Sequence, residues 1–350
     1  MQNLSPQRSS RQVAIWLLIG VGMIVVQVLI GGITRLTESG LSITEWKPIT
    51  GALPPLNHAA WMAEFDKYKL TDQFKYVHQD FSLSDFKFIF FWEWFHRLWA
   101  RLLGVVFLTG FIYFLLKRKF NRGMIRPMVI LFLLGALQGA IGWLMVKSGL
   151  VPEKYFVGHV ELTTHFIAAL GLLCYTLWFA LGLLVKPGQK IVQARLKGLL
   201  TGILLVLILQ LIYGGFMAGL KAAVAAPTWP DINGSMIPSS MGELSPFTQN
   251  LLSNTITIHF IHRGLAYLLF VLVLLWWIKA GMIKGNRLFS RLRNALAILV
   301  VVQVVLGICT VLNATNSSRL VVFGVLHQFV AMLLLMVLLS LLYLVRKKQA

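Results

Sequence analysis

Eight runs of about twenty apolar residues recur along this chain, at roughly 13–33, 90–116, 128–146, 157–185, 198–219, 254–278, 294–313 and 321–345. Each is long enough to cross a hydrocarbon core of about 30 Å as a helix. Inside that core only helices and closed barrels satisfy every backbone polar group internally. Composition agrees, with 57% hydrophobic and 13% charged residues, where a soluble domain has about half and a quarter. The expected fold is therefore an all-α polytopic membrane protein with eight transmembrane helices. The first run reads as a span rather than a cleaved signal, because it is long, lacks a clear small-residue cleavage site and precedes seven more.

The formal charge of +20 invites a nucleic-acid reading, but its distribution argues for topology. The segments "KRKFNRGMIR", "KPGQKIVQARLK", "KAGMIKGNRLFSRLR" and "RKK", with Arg8 and Arg11, hold 19 of the 32 Lys and Arg and no Asp or Glu. All 12 acidic residues lie in the alternate segments or at the helix ends beside them. This positive-inside pattern predicts both termini in the cytoplasm and gives no reason to expect nucleic acid as a partner. The two cysteines, Cys174 and Cys309, fall inside spans, so the outer loops have no disulfide or dithiol to use.

The odd spans share a signature: "QVLIGG" from Gln27, "QGAIGW" from Gln138, "QLIYGG" from Gln210 and "QVVLGI" from Gln303. Each Gln is followed four residues later by Gly. The pattern fits close helix packing with an interhelical hydrogen bond, or direct ligand contact. Every even span carries a histidine: His96, His165, His262 and His327. Their spacings, 69 and 65 residues, suggest a duplicated four-helix unit, with an N-terminal half at 1–190 and a C-terminal half at 191–350. An even number of crossings makes the repeats parallel, so the expectation is two pseudo-symmetric four-helix bundles. At 1.5 Å per residue, each histidine lies about 24–32 Å from the inner boundary, near the outer end of its helix.

A lone intramembrane histidine is usually a hydrogen-bonded packing residue. Four at one depth, two per half, point instead to paired axial ligands for a porphyrin in each half. Zinc suits the pairs less, since neither has a Cys or third His. Arg97 and Arg263 directly follow a ligand candidate and can pair with propionates at the outer rim, or snorkel to lipid phosphates. Trp92, Trp94 and Trp99 either wall a flat ligand or belong to the interfacial belt. Three residues before the first histidine, the halves differ: Glu93 precedes His96, whereas His259 precedes His262. Glu93 can serve as a general base or hold a cationic intermediate, or it can pair with Arg97. The long outer segments 34–89 and 220–253 suggest lids. Arg101 and His159 have no assigned role, and His259 is at most secondary.

Several longer stretches carry a resemblance. "GGITRLTESGLSITEWKPITGALPP" (31–55), "EWFHR" (93–97), "GWLMVKSGL" (142–150), "ELTTHF" (161–166), "PTWPDINGSMIP" (227–238), "IHRGLAY" (261–267) and "LHQ" (326–328) occur in this order. Together they resemble the heme A synthase family over nearly the whole chain. The resemblance implies oxidation of a methyl group of heme O to the formyl group of heme A, through a hydroxymethyl intermediate, for cytochrome oxidase assembly. It implies that His96 and His165 flank the substrate, that His262 and His327 ligate a heme b cofactor, and that Glu93 is the catalytic carboxylate. Some bacterial members carry a cysteine pair in an outer loop; this chain resembles the cysteine-free subgroup. Membrane lipid, heme O, a heme O synthase, an unidentified electron acceptor and a second copy of the chain are the partners in view. Two rival readings are a di-heme quinol oxidoreductase and a non-enzymatic heme carrier.

Overall fold

The structure, a computed structural model, describes residues 6–45 and 50–346. The "WKPI" of the first family stretch, the Arg8 side chain, and Lys347 and Lys348 lie outside the described residues. Eight helices among the described residues are long and apolar enough to cross a membrane. They are α1 (Pro6–Leu36), α2 (Leu83–Leu116), α3 (Arg122–Gly149), α4 (His159–Leu184), α5 (Ala194–Gly219), α6 (Thr255–Ala280), α7 (Arg287–Leu312) and α8 (Ser317–Leu344). The chain is thus a multi-pass membrane protein of the expected all-α class.

Helix starts follow from capping chemistry. Asn254, Asn286 and Asn316 each accept a backbone N–H of the first turn of α6, α7 and α8, satisfying donors that would otherwise be orphaned. A Ser82–Asp85 capping box starts α2 seven residues before the expected boundary at 90, and carries the helix beyond the hydrocarbon core.

Consecutive helices pack as pairs: α1 with α2, α3 with α4, α5 with α6 and α7 with α8. Helix α4 also packs on α1 and α5, and α8 packs on α1, α4 and α5, so these four form the centre. The main core is drawn from their faces, with Leu173, Leu200, Met332 and Leu338 fully buried. At the crossings small residues admit close contact. Gly32 receives the Gln328 side chain, whose Nε2 donates to the Val28 carbonyl at 3.0 Å, and Gly215 receives Thr163. One asymmetry stands out: α6 and α7 pack directly, whereas α2 and α3 do not form a packed pair.

The first outer segment is more than a loop. Trp61, Phe65 and Tyr68 recur at helical spacing along the helix His58–Lys69 and pack on Phe86, Ile89 and Phe90 at the top of α2. Phe65 stacks on Phe86 with centroids 5.0 Å apart. In the third segment, Asn233 and Gly234 both take positive φ, the tight turn that Asn-Gly favours, closed by the Ile232–Ser235 bridge.

Candidate functional site

The Gln-x-x-x-Gly signature of each odd helix meets the histidine of the next even helix. Gln27 Nε2 lies 3.1–3.2 Å from both ring nitrogens of His96 and donates to its carbonyl. Gln138 Nε2 lies 3.1 Å from His165 Nδ1 and 2.9 Å from its carbonyl. Gln210 and Gln303 reach the Nε2 atoms of His262 and His327 at 3.3 and 3.2 Å. One turn on, the glycine makes room for the ring. A methyl group added at Gly31, Gly142, Gly214 or Gly307 would lie 3.0, 2.8, 3.3 or 3.1 Å from the Cε1 atom of its histidine. The repeated Gln and Gly are therefore a cradle that grips the ring by its edge.

This cradle leaves specific polar atoms without partners. The Oε1 atoms of Gln27, Gln138, Gln210 and Gln303 are buried and unbonded, as are the Nδ1 atoms of His262 and His327. An orphaned buried polar group costs about 1–3 kcal/mol, and here it recurs at equivalent places. The donor set fits an axially ligated iron porphyrin. The imidazoles of His262 and His327 each have one unpartnered nitrogen to take a metal and another met by a neighbouring amide. The rings of His262 and His327 have centroids 6.4 Å apart. Two metal–nitrogen bonds of about 2 Å, plus about 1 Å from each nitrogen to its ring centre, come to about 6 Å. All four histidines line one continuous cavity of about 1280 Å³, larger than the roughly 300–1,000 Å³ that a single small ligand needs.

Glu93 also lines this cavity and is buried, 3% exposed. Its Oε2 accepts from the Ser42 hydroxyl at 2.7 Å and the Ile43 N–H at 2.8 Å, while Oε1 pairs with Arg97 at 2.5 Å. Arg97 donates in turn to the carbonyls of Ile43 and Glu45. In the other half, Arg263 donates to His259 Nε2 at 3.0 Å and to the carbonyls of Thr228, Pro230 and Asp231. Each arginine therefore ties the outer segment over its own half to the histidine helix, a role that the sequence did not disclose. Glu93 and His259 are equivalent in bonding as well as position, since each holds the arginine four residues on. His159 Nε2 bonds the Leu252 carbonyl at 2.8 Å, linking the start of α4 to the segment before α6. Arg101 lines both the main cavity and a smaller one of about 280 Å³ beside it. The tryptophans that line the main cavity are Trp16, Trp143 and Trp229. Trp99 instead donates to the Met23 carbonyl, and Trp94 to that of Ala52. Both cysteines are unpaired.

At the cavity wall, Glu38 ties the segment after α1 to the segment after α5, bonding Lys221 and facing His78 at 3.5 Å. Burial resists its charge, but the His78 and Lys221 hydrogen bonds outweigh it and hold the carboxyl at about 2, below the usual 4.5. A depressed carboxyl stabilises the fold fully above pH 4.5, and that contribution drains away as pH falls towards 2. The expected result for Glu38→Gln is a lower thermal midpoint at pH 7 and a flatter acid limb. Unfolding of the purified protein in detergent between pH 2 and 7 reads both; an unchanged acid limb would remove Glu38 from the linkage.

Fold and site together define a polytopic membrane protein built around paired, cradled histidines. Residues 14–339 match the COX15-CtaA family, described as cytochrome oxidase assembly protein, and the chain belongs to that family. It is similar to the heme A synthase of Rhodospirillum centenum, 45% identical over 88% of this chain and 83% of the relative. The heme A synthase of Flavobacterium johnsoniae is 39% identical over 94% and 96%, and that of Beijerinckia indica is 42% identical over 94% and 91%.

Proposed function

We propose that this chain is a heme A synthase, an oxidoreductase that converts a methyl group of heme O to the formyl group of heme A. The observation that carries this reading is the asymmetry of two otherwise matching sites. Both halves cradle a histidine pair, yet a carboxyl group stands at Glu93 where the other half has His259. On this reading His96 and His165 hold the substrate in the half formed by 1–190. His262 and His327 hold heme b in the half formed by 191–350. When bound there, heme b supplies a one-electron redox centre.

The protein's own residues bind and orient. If one ring nitrogen held a metal, the other would present N–H, and a half-turn of the Gln210 or Gln303 amide would bring its orphaned Oε1 to accept it. Gln27 and Gln138 hold the histidine helices through their backbone carbonyls. Glu93, fixed by Ser42, Ile43 and Arg97, places negative charge where an electron-poor methyl carbon forms and accepts a proton from the attacking water. One water and loss of two electrons and two protons give the hydroxymethyl group. A second such round gives a hydrated aldehyde that loses water to the formyl. Electrons leave to an acceptor outside the chain. Arg97 and Arg263 have N–H groups left to meet propionates at the rim. Both termini are cytoplasmic in this reading, the membrane is the inner membrane, and a heme O synthase supplies the substrate.

The test is expression in a host that makes heme O but no heme A, followed by mass analysis of extracted hemes. Hydroxymethyl and formyl products are expected; unchanged porphyrin mass would leave a carrier or a di-heme oxidoreductase. The cradle gives a second expectation. Gly142→Ala pushes on His165 and should weaken substrate-heme binding by about tenfold or more, whereas Gly214→Ala, with 3.3 Å of room, should act more mildly on heme b. Absorption titration of both variants compares them, and equal effects would refute the steric account.

A further inference from the structure

The two halves can be aligned on their histidines and glutamines, and at three positions on α2 and α3 a glycine stands where α6 and α7 carry a larger side chain. Gly104, eight residues after His96, matches Phe270, eight after His262. Gly135 and Gly139, flanking Gln138, match Val300 and Val304, flanking Gln303. A side chain at any of the three glycines would meet nothing within 4 Å, whereas Val300 is 1% exposed and Phe270 packs against the core. This is also where α6 and α7 pack and α2 and α3 do not. The N-terminal half therefore has an open slit where the C-terminal half is filled.

The slit lies at one depth. Gly104 is about 12 Å along α2 from His96, and Gly135 about 10 Å along the antiparallel α3 from Gly142, both in the cytoplasmic direction expected from the charge pattern. Leu103, Phe107, Leu131 and Phe132 wall it, and it is continuous with the cavity that holds His96 and His165. Phe132 is 56% exposed and marks its membrane mouth.

We infer that this slit is the subsite for the long isoprenoid chain of the substrate porphyrin, and that its mouth opens to the bilayer. The inference rests on the assignment of the N-terminal half to heme O. The occupant follows from chemistry: heme O carries such a chain where heme b has a small vinyl group, and the half assigned to heme b has its corresponding space filled. Lipid tails are as apolar as helix side chains, so the slit selects by shape. Glycines leave a channel for the chain, and side chains would close it.

The test is transplantation of the closed half's residues, Gly104→Phe with Gly135→Val, in the full-length protein. Heme O and protoheme, the iron porphyrin without the isoprenoid chain, are titrated separately and followed by absorption. The expected result is at least a tenfold fall in the ratio of heme O to protoheme affinity, with heme b at His262 and His327 retained as the sign of an intact fold. Gly139→Val alone should lower the ratio in the same direction, and it replaces the double variant if that one fails to retain heme b. An unchanged ratio, whether both affinities fall together or neither does, overturns the inference. Conversion by the unaltered protein is scored separately: a chain that selects heme O through the slit but leaves its mass unchanged keeps the subsite and loses the synthase reading.

Discussion

Glu93→Gln is expected to lower heme A formation by about 100-fold or more, while heme b and bound heme O are both retained. Glutamine preserves an acceptor for the Ser42 hydroxyl and the Ile43 N–H, which Glu93 holds at 2.7 and 2.8 Å. It removes the negative charge and the proton acceptor and turns N–H groups towards Arg97, but it keeps the segment at 42–45 tied to α2 through Ser42, Ile43 and the Arg97 bonds to the Ile43 and Glu45 carbonyls. Glu93→Ala does not. It strands Arg97, Ser42 and Ile43 together, and breaking a buried pair by removing one partner costs about 3–5 kcal/mol. The segment at 42–45 should then loosen from α2, and substrate binding should fall with turnover. Mass analysis of hemes extracted from membranes, with the absorption spectrum as a measure of heme b, separates the two variants. Conversion by Glu93→Gln at the unaltered rate would exclude the carboxyl group from the reaction.

The second large effect is a crossed pair of substitutions. His262→Ala should empty the C-terminal site of heme b, because the 6.4 Å gap to His327 then has an axial nitrogen on one side only. Heme A formation should stop, while heme O still binds the other half. His165→Ala should do the reverse, retaining heme b and losing substrate binding and conversion. Losing a neighbour that only orients a ligand changes metal affinity by about 10–100-fold, and losing the ligand itself should exceed that. Heme-to-protein stoichiometry and heme identity in the two purified variants decide the matter. If either substitution emptied both halves, the division into a substrate half and a cofactor half would fail.

Much of this site was legible from residue order. The four histidines and the Gln-x-x-x-Gly signature could be read because helix periodicity is local. Whether that signature served packing or a ligand could not be read, and the structure gives a joint answer: Gln and Gly both act on the histidine. The arginines were harder. "HR" twice suggested propionates, but the groups that Arg97 and Arg263 hold are backbone carbonyls of distant segments, and carbonyls carry no sequence signal. The stripe of Trp61, Phe65 and Tyr68 went unread, because a long outer segment reads as a lid until its aromatic partners on α2 are known.

Membrane insertion is decided segment by segment, by the apolar content of each run against the cost of its charges. Eight helices long and apolar enough to span therefore follow from the chain read in order. Helix pairing inside the bilayer is different, because lipid and helix surfaces are equally apolar and hydropathy does not say which faces meet. Only tertiary packing could show that α6 closes on α7 while α2 stands off from α3, and that three glycines border the resulting gap. It also placed Glu93 against Ser42 and Ile43, fifty-one and fifty residues away in the chain.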